Sequence, residues 1–155
     1  GLQNADKRAG RAADQGLVEA YIHPGNRVGV LIEVNCETDF VARTPEFQEL
    51  VRNLAMQVAA LGAEFVRRED VPAERVAKER EIYAGQMEGQ NKPAAIIEKI
   101  VEGKLEKFYG EICLLEQAYM RDDSVKVGDL VKGLSGKTGE KMAVRRFTRF
   151  RLGQD

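Results

Sequence analysis

The chain has 155 residues, with 24 Lys and Arg against 25 Asp and Glu and one His, for a formal charge of −1. That length suits one domain with a core, or one domain with a projecting element, and the balanced charge removes the long-range field of a general nucleic-acid or acidic-membrane binder. No apolar run approaches the ~18 residues of a membrane span. Two Cys, Cys36 and Cys113, leave little for a disulfide scaffold or, with a lone His, for a metal cluster; reduced thiols in a cytosol-like compartment fit better.

Residues 1–15 contain no apolar run, and Lys7, Arg8 and Arg11 stand among Ala and Gly. The stretch has the character of a basic linker or helix remnant, not of a signal peptide, which needs an apolar segment. A chain that opens on Gly1 is expected to be a fragment or a processed product. Leu17 to Ile22 is rich in strand formers, His23-Pro24-Gly25-Asn26 is a turn cluster, and Val28, Val30, Ile32 and Val34 then alternate at period two. Together they predict a β-hairpin. Thr44-Pro45-Glu46 carries a hydroxyl N-cap, a Pro at the first helical position and an acid at the positive dipole end. Phe47, Leu50, Val51, Leu54, Val58 and Leu61 follow at helical spacing until Gly62 stops the run.

From Val71 to Phe108 the apolar positions thin out. One helix opens at Pro72 with Val76, Tyr83 and Met87, the stretch from Gly89 to Pro93 breaks it, and a second carries Ile97, Ile100, Val101, Leu105 and Phe108. Two narrow seams with charged outer faces describe an antiparallel helical hairpin, which can bury a partner helix but not a whole core. A short helix with Val127, Leu130, Val131 and Leu134 follows Asp122-Asp123-Ser124 and is expected to be interrupted by Gly133, Ser135, Gly136 and Gly139. Met142 to Leu152 forms a third, Arg-rich strand. The fold class is α+β: a small three-stranded antiparallel sheet with packed helices and an inserted helical hairpin, or coiled coil. Residues 16–70 and 109–155 make the core and 71–108 the hairpin.

Few residues invite covalent chemistry. His23 precedes Pro-Gly in a turn and has no nucleophile motif beside it, and the Gly133/Gly136/Gly139 stretch follows a helix and lacks the phosphate-loop Lys-Ser/Thr. Neither a catalytic residue nor a cofactor or metal site is expected. Arg145, Arg146, Arg149 and Arg151, interleaved with Phe147 and Phe150, form the sharpest charge cluster. Strict alternation puts Arg145, Arg149 and Arg151 on one face and Arg146 on the other. An RNA-binding module is the alternative reading of this strand; no RNP-type sequence accompanies it, and the near-zero net charge argues for a solvated or protein-contacting face.

The most informative segment runs from Glu33 to Arg43, Glu33-Val34-Asn35-Cys36-Glu37-Thr38-Asp39-Phe40-Val41-Ala42-Arg43. It leaves a core strand and enters a helix start, so it must turn. Phe40 either folds back as a cap on the helix, with Thr38 and Asp39 making turn hydrogen bonds, or stands out as an aromatic wedge beside a carboxylate.

Glu33 to Arg43 resembles the signature of the translation elongation factor Ts family, whose hallmark is the Thr-Asp-Phe-Val tetrapeptide found here at residues 38–41. The likeness extends to Gly16–Pro24 (GLVEAYIHP), Arg27–Val34, the helix around Leu54-Ala55-Met56, Lys99–Phe108 (KIVEGKLEKF), Leu114–Gln117 and Lys137–Arg146 (KTGEKMAVRR). The resemblance implies guanine-nucleotide exchange on elongation factor Tu, in which GDP and Mg²⁺ are released without covalent chemistry. Thr38, Asp39, Phe40 and Val41 would be the partner-binding residues, Phe40 the aromatic that inserts between helices of the GTPase domain and Asp39 the acid that perturbs the Mg²⁺ and phosphate-loop region. It further implies a coiled-coil arm at 71–108 reaching a distal part of the GTPase domain, and a sheet that grips the third domain of elongation factor Tu. Family members normally begin with a three-helix, ubiquitin-associated-like domain; residues 1–15 resemble the linker that follows it, so that domain is expected to be missing upstream of Gly1. With one sheet unit rather than two, the apolar sheet is expected to be covered by homodimerisation. The expected location is cytoplasmic, an organellar matrix or stroma remaining open, with no membrane and no direct nucleic-acid partner.

Overall fold

The computed structural model describes residues 7–155; the first six positions of the predicted basic segment lie outside the described residues. Strands β1 (Gln15–Ile22), β2 (Val28–Cys36) and β5 (Ala143–Arg151) form an antiparallel sheet in the order β1-β2-β5. The predicted hairpin is present, with Leu17 opposite Val34 and Ile22 opposite Gly29. Its turn closes through Asn26 N–H donating to the His23 carbonyl at 3.0 Å, with Gly25 at φ 99° and Asn26 at φ 61°. These are left-handed backbone values that Gly and Asn tolerate.

A one-turn helix α1 (Asp39–Ala42) leads into α2 (Pro45–Leu61). The ends of α2 are the ones its sequence specifies: the Thr44 hydroxyl accepts from Phe47 N–H at 3.3 Å, Pro45 opens the first turn, and Gly62 at φ 66° closes the last. Its buried Phe47, Leu50, Val51, Leu54 and Val58 share one core with Val30, Ile32 and Val34 of the sheet and with Val127 and Val131 of α5 (Val127–Thr138).

Helices α3 (Ala73–Gln86) and α4 (Ala94–Ile112) pack against each other and enclose a second cluster. Val71, Met87, Val101, Leu105, Phe108 and Ile112 are buried there, with Val76, Tyr83 and Ile97 packed around them. No residue within α3 itself is fully buried, as a narrow seam requires. Arg68 fixes the root of this pair. It donates to Glu116 at 2.9 and 2.5 Å and to Glu106 at 3.0 and 2.7 Å, and it lies 4.4 Å from the centre of the Tyr109 ring.

Three expectations are corrected. Helix α5 is continuous from Val127 to Thr138 and accommodates Gly133, Ser135 and Gly136; only Gly139, at φ 75°, ends it. Burial of Val127 and Val131 in the core offsets a glycine cost of about 1 kcal/mol each. A short hairpin of β3 (Ala118–Tyr119) and β4 (Asp122–Lys126) occupies the stretch before α5. It is anchored by the fully buried Gln57, which donates to the Ala118 carbonyl at 3.0 Å and accepts from Met120 N–H at 2.8 Å. Finally, the register shifts opposite Glu33 and Val34, so that Glu33 pairs with Arg146 but Val34 with Val144. This bulge leaves Arg145 unpaired and breaks the expected alternation. Arg145 and Arg146 both address Glu33, at 4.0 and 2.9 Å. Arg149 instead turns to the end of α2 and donates to the Ala59 carbonyl at 3.1 Å. The Arg-rich strand therefore presents no continuous row of cations.

Candidate functional site

Thr38, Asp39, Phe40 and Val41 fall together where β2 hands over to α2. Thr38 is the N-cap of α1: its backbone is extended, at φ −126° and ψ 150°, and its hydroxyl oxygen accepts from Val41 N–H at 3.2 Å. Val41 and Ala42 are buried in the core. That leaves Phe40, on the opposite side of a single helical turn, 81% exposed. Of the two readings of Phe40, the folded-back cap is absent and the projecting aromatic is present. Asp39 is paired with Arg43 one turn on, at 2.6 Å, with both side chains largely in solvent, an arrangement of little energetic weight.

The turn is held from both sides. Thr44 donates its hydroxyl proton to the Val41 carbonyl at 2.7 Å. Beneath it, the buried Cys36 thiol donates to the Thr38 carbonyl at 3.2 Å. Burial, and next the Glu140 carboxylate, push this thiol above its ordinary value, so it stays protonated and serves as a weak donor rather than a nucleophile.

The strongest restraint comes from a residue that motif reasoning did not single out. The carboxylate of Glu140, just beyond α5, accepts from Glu37 N–H and Thr38 N–H at 3.1 Å each and from the Thr38 hydroxyl at 2.7 Å. In return the Glu37 carboxylate accepts from Lys141 N–H at 2.6 Å and from Arg11 at 3.3 Å. Arg11 also donates to the Gly139 carbonyl at 3.1 Å, and Arg8 to the Ser135 hydroxyl at 3.2 Å. The described part of the basic segment is thus docked on the core beside the turn. Glu140 lies in the stretch Lys137–Arg146, where its contact, 102 residues away in the chain, leaves no local signal.

The remaining candidates do not join this site. His23 meets the Tyr21 hydroxyl at 3.0 Å on the exposed turn. Cys113 is buried at the root of α4, which pushes its thiol up to about 12. Among the described residues no group of three His, Cys, Asp or Glu side chains is arranged to hold a metal ion, and no helix is long and apolar enough to cross a membrane.

The described residues form a two-core α+β chain whose most distinctive surface feature is an outward-facing aromatic on a clamped turn. Comparison with known proteins identifies its family. The family described as elongation factor TS matches residues 5–154. Elongation factor Ts of Thermotoga neapolitana is 57% identical over 155 residues, covering all of this chain and 78% of that protein. Those of Thermotoga maritima and Moorella thermoacetica are 56% and 57% identical over 154 residues, each covering 99% of this chain and 76% of the relative. The chain belongs to the elongation factor Ts family, and its role lies in translation elongation.

Proposed function

We propose that the chain is a guanine-nucleotide exchange factor for elongation factor Tu, and that the Thr38–Val41 turn is the element that drives GDP and Mg²⁺ release. The observation that carries this reading is a large aromatic left 81% exposed on a turn whose neighbours Val41 and Ala42 are buried. A side chain of that size kept in water by a rigid frame is prepared for a pocket on another molecule. Phe40 enters between helices of the GTPase domain and spreads them; Asp39, released from its exposed pair with Arg43, brings a negative charge toward the region that holds Mg²⁺ and the phosphates. No bond is made or broken. By linkage, whatever free energy the factor's binding removes from GDP affinity, GDP removes from the factor's affinity. GTP then refills the empty site and displaces the factor.

The helical pair at 71–108 acts as an arm that adds a second, distal contact, while residues 16–70 and 109–155 form the body. Its ion-paired root supports this role, since Arg68 joins both Glu106 on α4 and Glu116 beyond it. The outward face of the sheet carries Val18, Ile22, Leu31 and Phe150, exposed by 64, 57, 48 and 73%. An apolar face of this kind supports cover by a second copy of the chain. A monomeric mass by light scattering across micromolar concentrations would reject the homodimer.

The exchange reading is tested by release of a fluorescent GDP analogue from elongation factor Tu, with and without the chain. The chain accelerates release, and Phe40→Ala removes the acceleration; equal rates with both proteins would overturn the assignment of the turn. The RNA-binding alternative has less support, because Arg145 and Arg146 share Glu33 and Arg149 is turned to α2.

A further inference from the structure

We propose that Glu140 is the positioning residue of the exchange turn: it holds residues 37–41 in their binding shape before any partner arrives. The proposal rests on the exchange reading above. A helix of four residues, α1, cannot sustain itself, because nucleating a helical turn fixes more dihedral angles than its hydrogen bonds repay. The turn's own contacts are few: Thr38 caps Val41 N–H, and Thr44 binds the Val41 carbonyl. On its amino-terminal side, where the chain leaves β2, the Cys36 thiol holds the Thr38 carbonyl and the Glu37 carboxylate holds Lys141 N–H, but the backbone N–H groups of Glu37 and Thr38 are both held by the Glu140 carboxylate.

Glu140 is built for that task. Its two oxygens accept three hydrogen bonds, from Glu37 N–H, Thr38 N–H and the Thr38 hydroxyl. Two of those donors are backbone groups, so the clamp fixes the path of the main chain and not merely a side chain. Gly139, in the left-handed region at φ 75°, reverses the chain out of α5. The Ser135 hydroxyl then donates to the Glu140 carbonyl at 2.5 Å, and Lys141 N–H is held by Glu37. The carboxylate is therefore fixed from behind as well as by what it grips. Without it, the turn samples other shapes, and only the competent fraction binds. The apparent dissociation constant rises by the inverse of that fraction. The bound geometry and the rate of GDP release from it are unaltered.

That consequence separates positioning from general stabilisation. Rates of GDP release from elongation factor Tu are measured against factor concentration for the wild type, Glu140→Ala, Glu140→Gln and Phe40→Ala, at a temperature well below all their melting points. With the competent fraction reduced to about a tenth, Glu140→Ala raises the half-saturating concentration about tenfold and keeps the maximal release rate within about twofold. Glu140→Gln retains an acceptor oxygen for both N–H groups and an amide for the Thr38 hydroxyl, and it restores the half-saturating concentration. Phe40→Ala lowers the maximal rate instead. If Glu140→Ala does not fold, Glu140→Asp, which withdraws the carboxylate by one methylene, reads the same split. An unchanged half-saturating concentration in the Ala or Asp variant overturns the proposal, as does a loss confined to the maximal rate. If Phe40→Ala releases GDP as fast as the wild type, the exchange reading fails, and the positioning role falls with it.

Discussion

Replacing Phe40 with Ala separates what this side chain does for the fold from what it does for a partner. Phe side chains bury about 200 Å² when fully enclosed. With Phe40 81% exposed, roughly a fifth of that area is shielded in the free protein, which at about 25 cal/mol per Å² amounts to at most about 1 kcal/mol. For a chain of this size the melting temperature would fall by no more than about 4 °C. The exposed remainder, if enclosed in a pocket of elongation factor Tu, would be worth up to about 4 kcal/mol at the same coefficient. If that burial is realised as GDP leaves, removing it slows factor-stimulated release by up to about 1,000-fold. Thermal unfolding followed by circular dichroism measures the first quantity, and stopped-flow release of a fluorescent GDP analogue at saturating factor measures the second. A melting temperature lowered by about 10 °C or more would show that Phe40 serves the fold, and an unaltered release rate would show that it does not serve exchange.

Leu105, 2% exposed between α3 and α4, contributes to a core separate from that of the sheet. Leu105→Ala is expected to cost about 3 kcal/mol, seen as a melting temperature lowered by about 6–12 °C; a shift under about 2 °C would mean the helical pair melts independently of the rest. Gly16, at φ 139°, sits so close to its partner strand that an added Cβ would lie 2.0 Å from the Val34 carbonyl oxygen. Gly16→Ala must therefore push β1 away from β2, with a loss of at least about 2 kcal/mol in urea unfolding, and an unshifted midpoint would refute the close approach. Three carboxyls are held below the ordinary 4.5: Glu33 by Asn35 and Arg146, Glu64 by Arg75, and Glu106 by Arg68. Because the folded values lie below the unfolded ones, their stabilisation is complete above pH ~5 and is lost as pH falls through 4.5 and on through the folded values. Urea midpoints that stay level from pH ~6 to ~3 would contradict this.

Most of the fold is written in local patterns. The limits of α2 follow from Thr44, Pro45 and Gly62, each of which acts within one turn of its own position. The alternation of Val28 to Val34 specifies β2, and the sparse seams of Val76, Tyr83 and Leu105 specify two helices that need each other. What escaped was decided at a distance. Nothing near Arg145 announces a bulge; it arises because Val144 must enter the core opposite Val34 while Arg146 reaches Glu33. The glycines of α5 predict a break on propensity alone, and burial of Val127 and Val131 overrides it. At the candidate site the motif and its N-cap were legible, but the exposure of Phe40 depends on the burial of Val41 and Ala42. The clamp on that turn depends on Glu140, delivered from the other side of the inserted helices.

That delivery ties the two halves of the body together. The chain enters the helical pair after Val71 and leaves it at Ile112. The sheet then closes by pairing β5 with β2, and Glu140 closes the turn from the same returning segment. Arg68 and Arg75 brace the exit from the body, the one against Glu106 and Glu116, the other against Glu64. The Thr38–Val41 turn and the helical pair are thus fixed to one frame by contacts made in the free protein. On the exchange reading this has an energetic meaning. A factor that ordered its contacts during binding would spend interaction energy on its own conformational entropy. A frame already ordered leaves that energy for distorting the nucleotide site of elongation factor Tu.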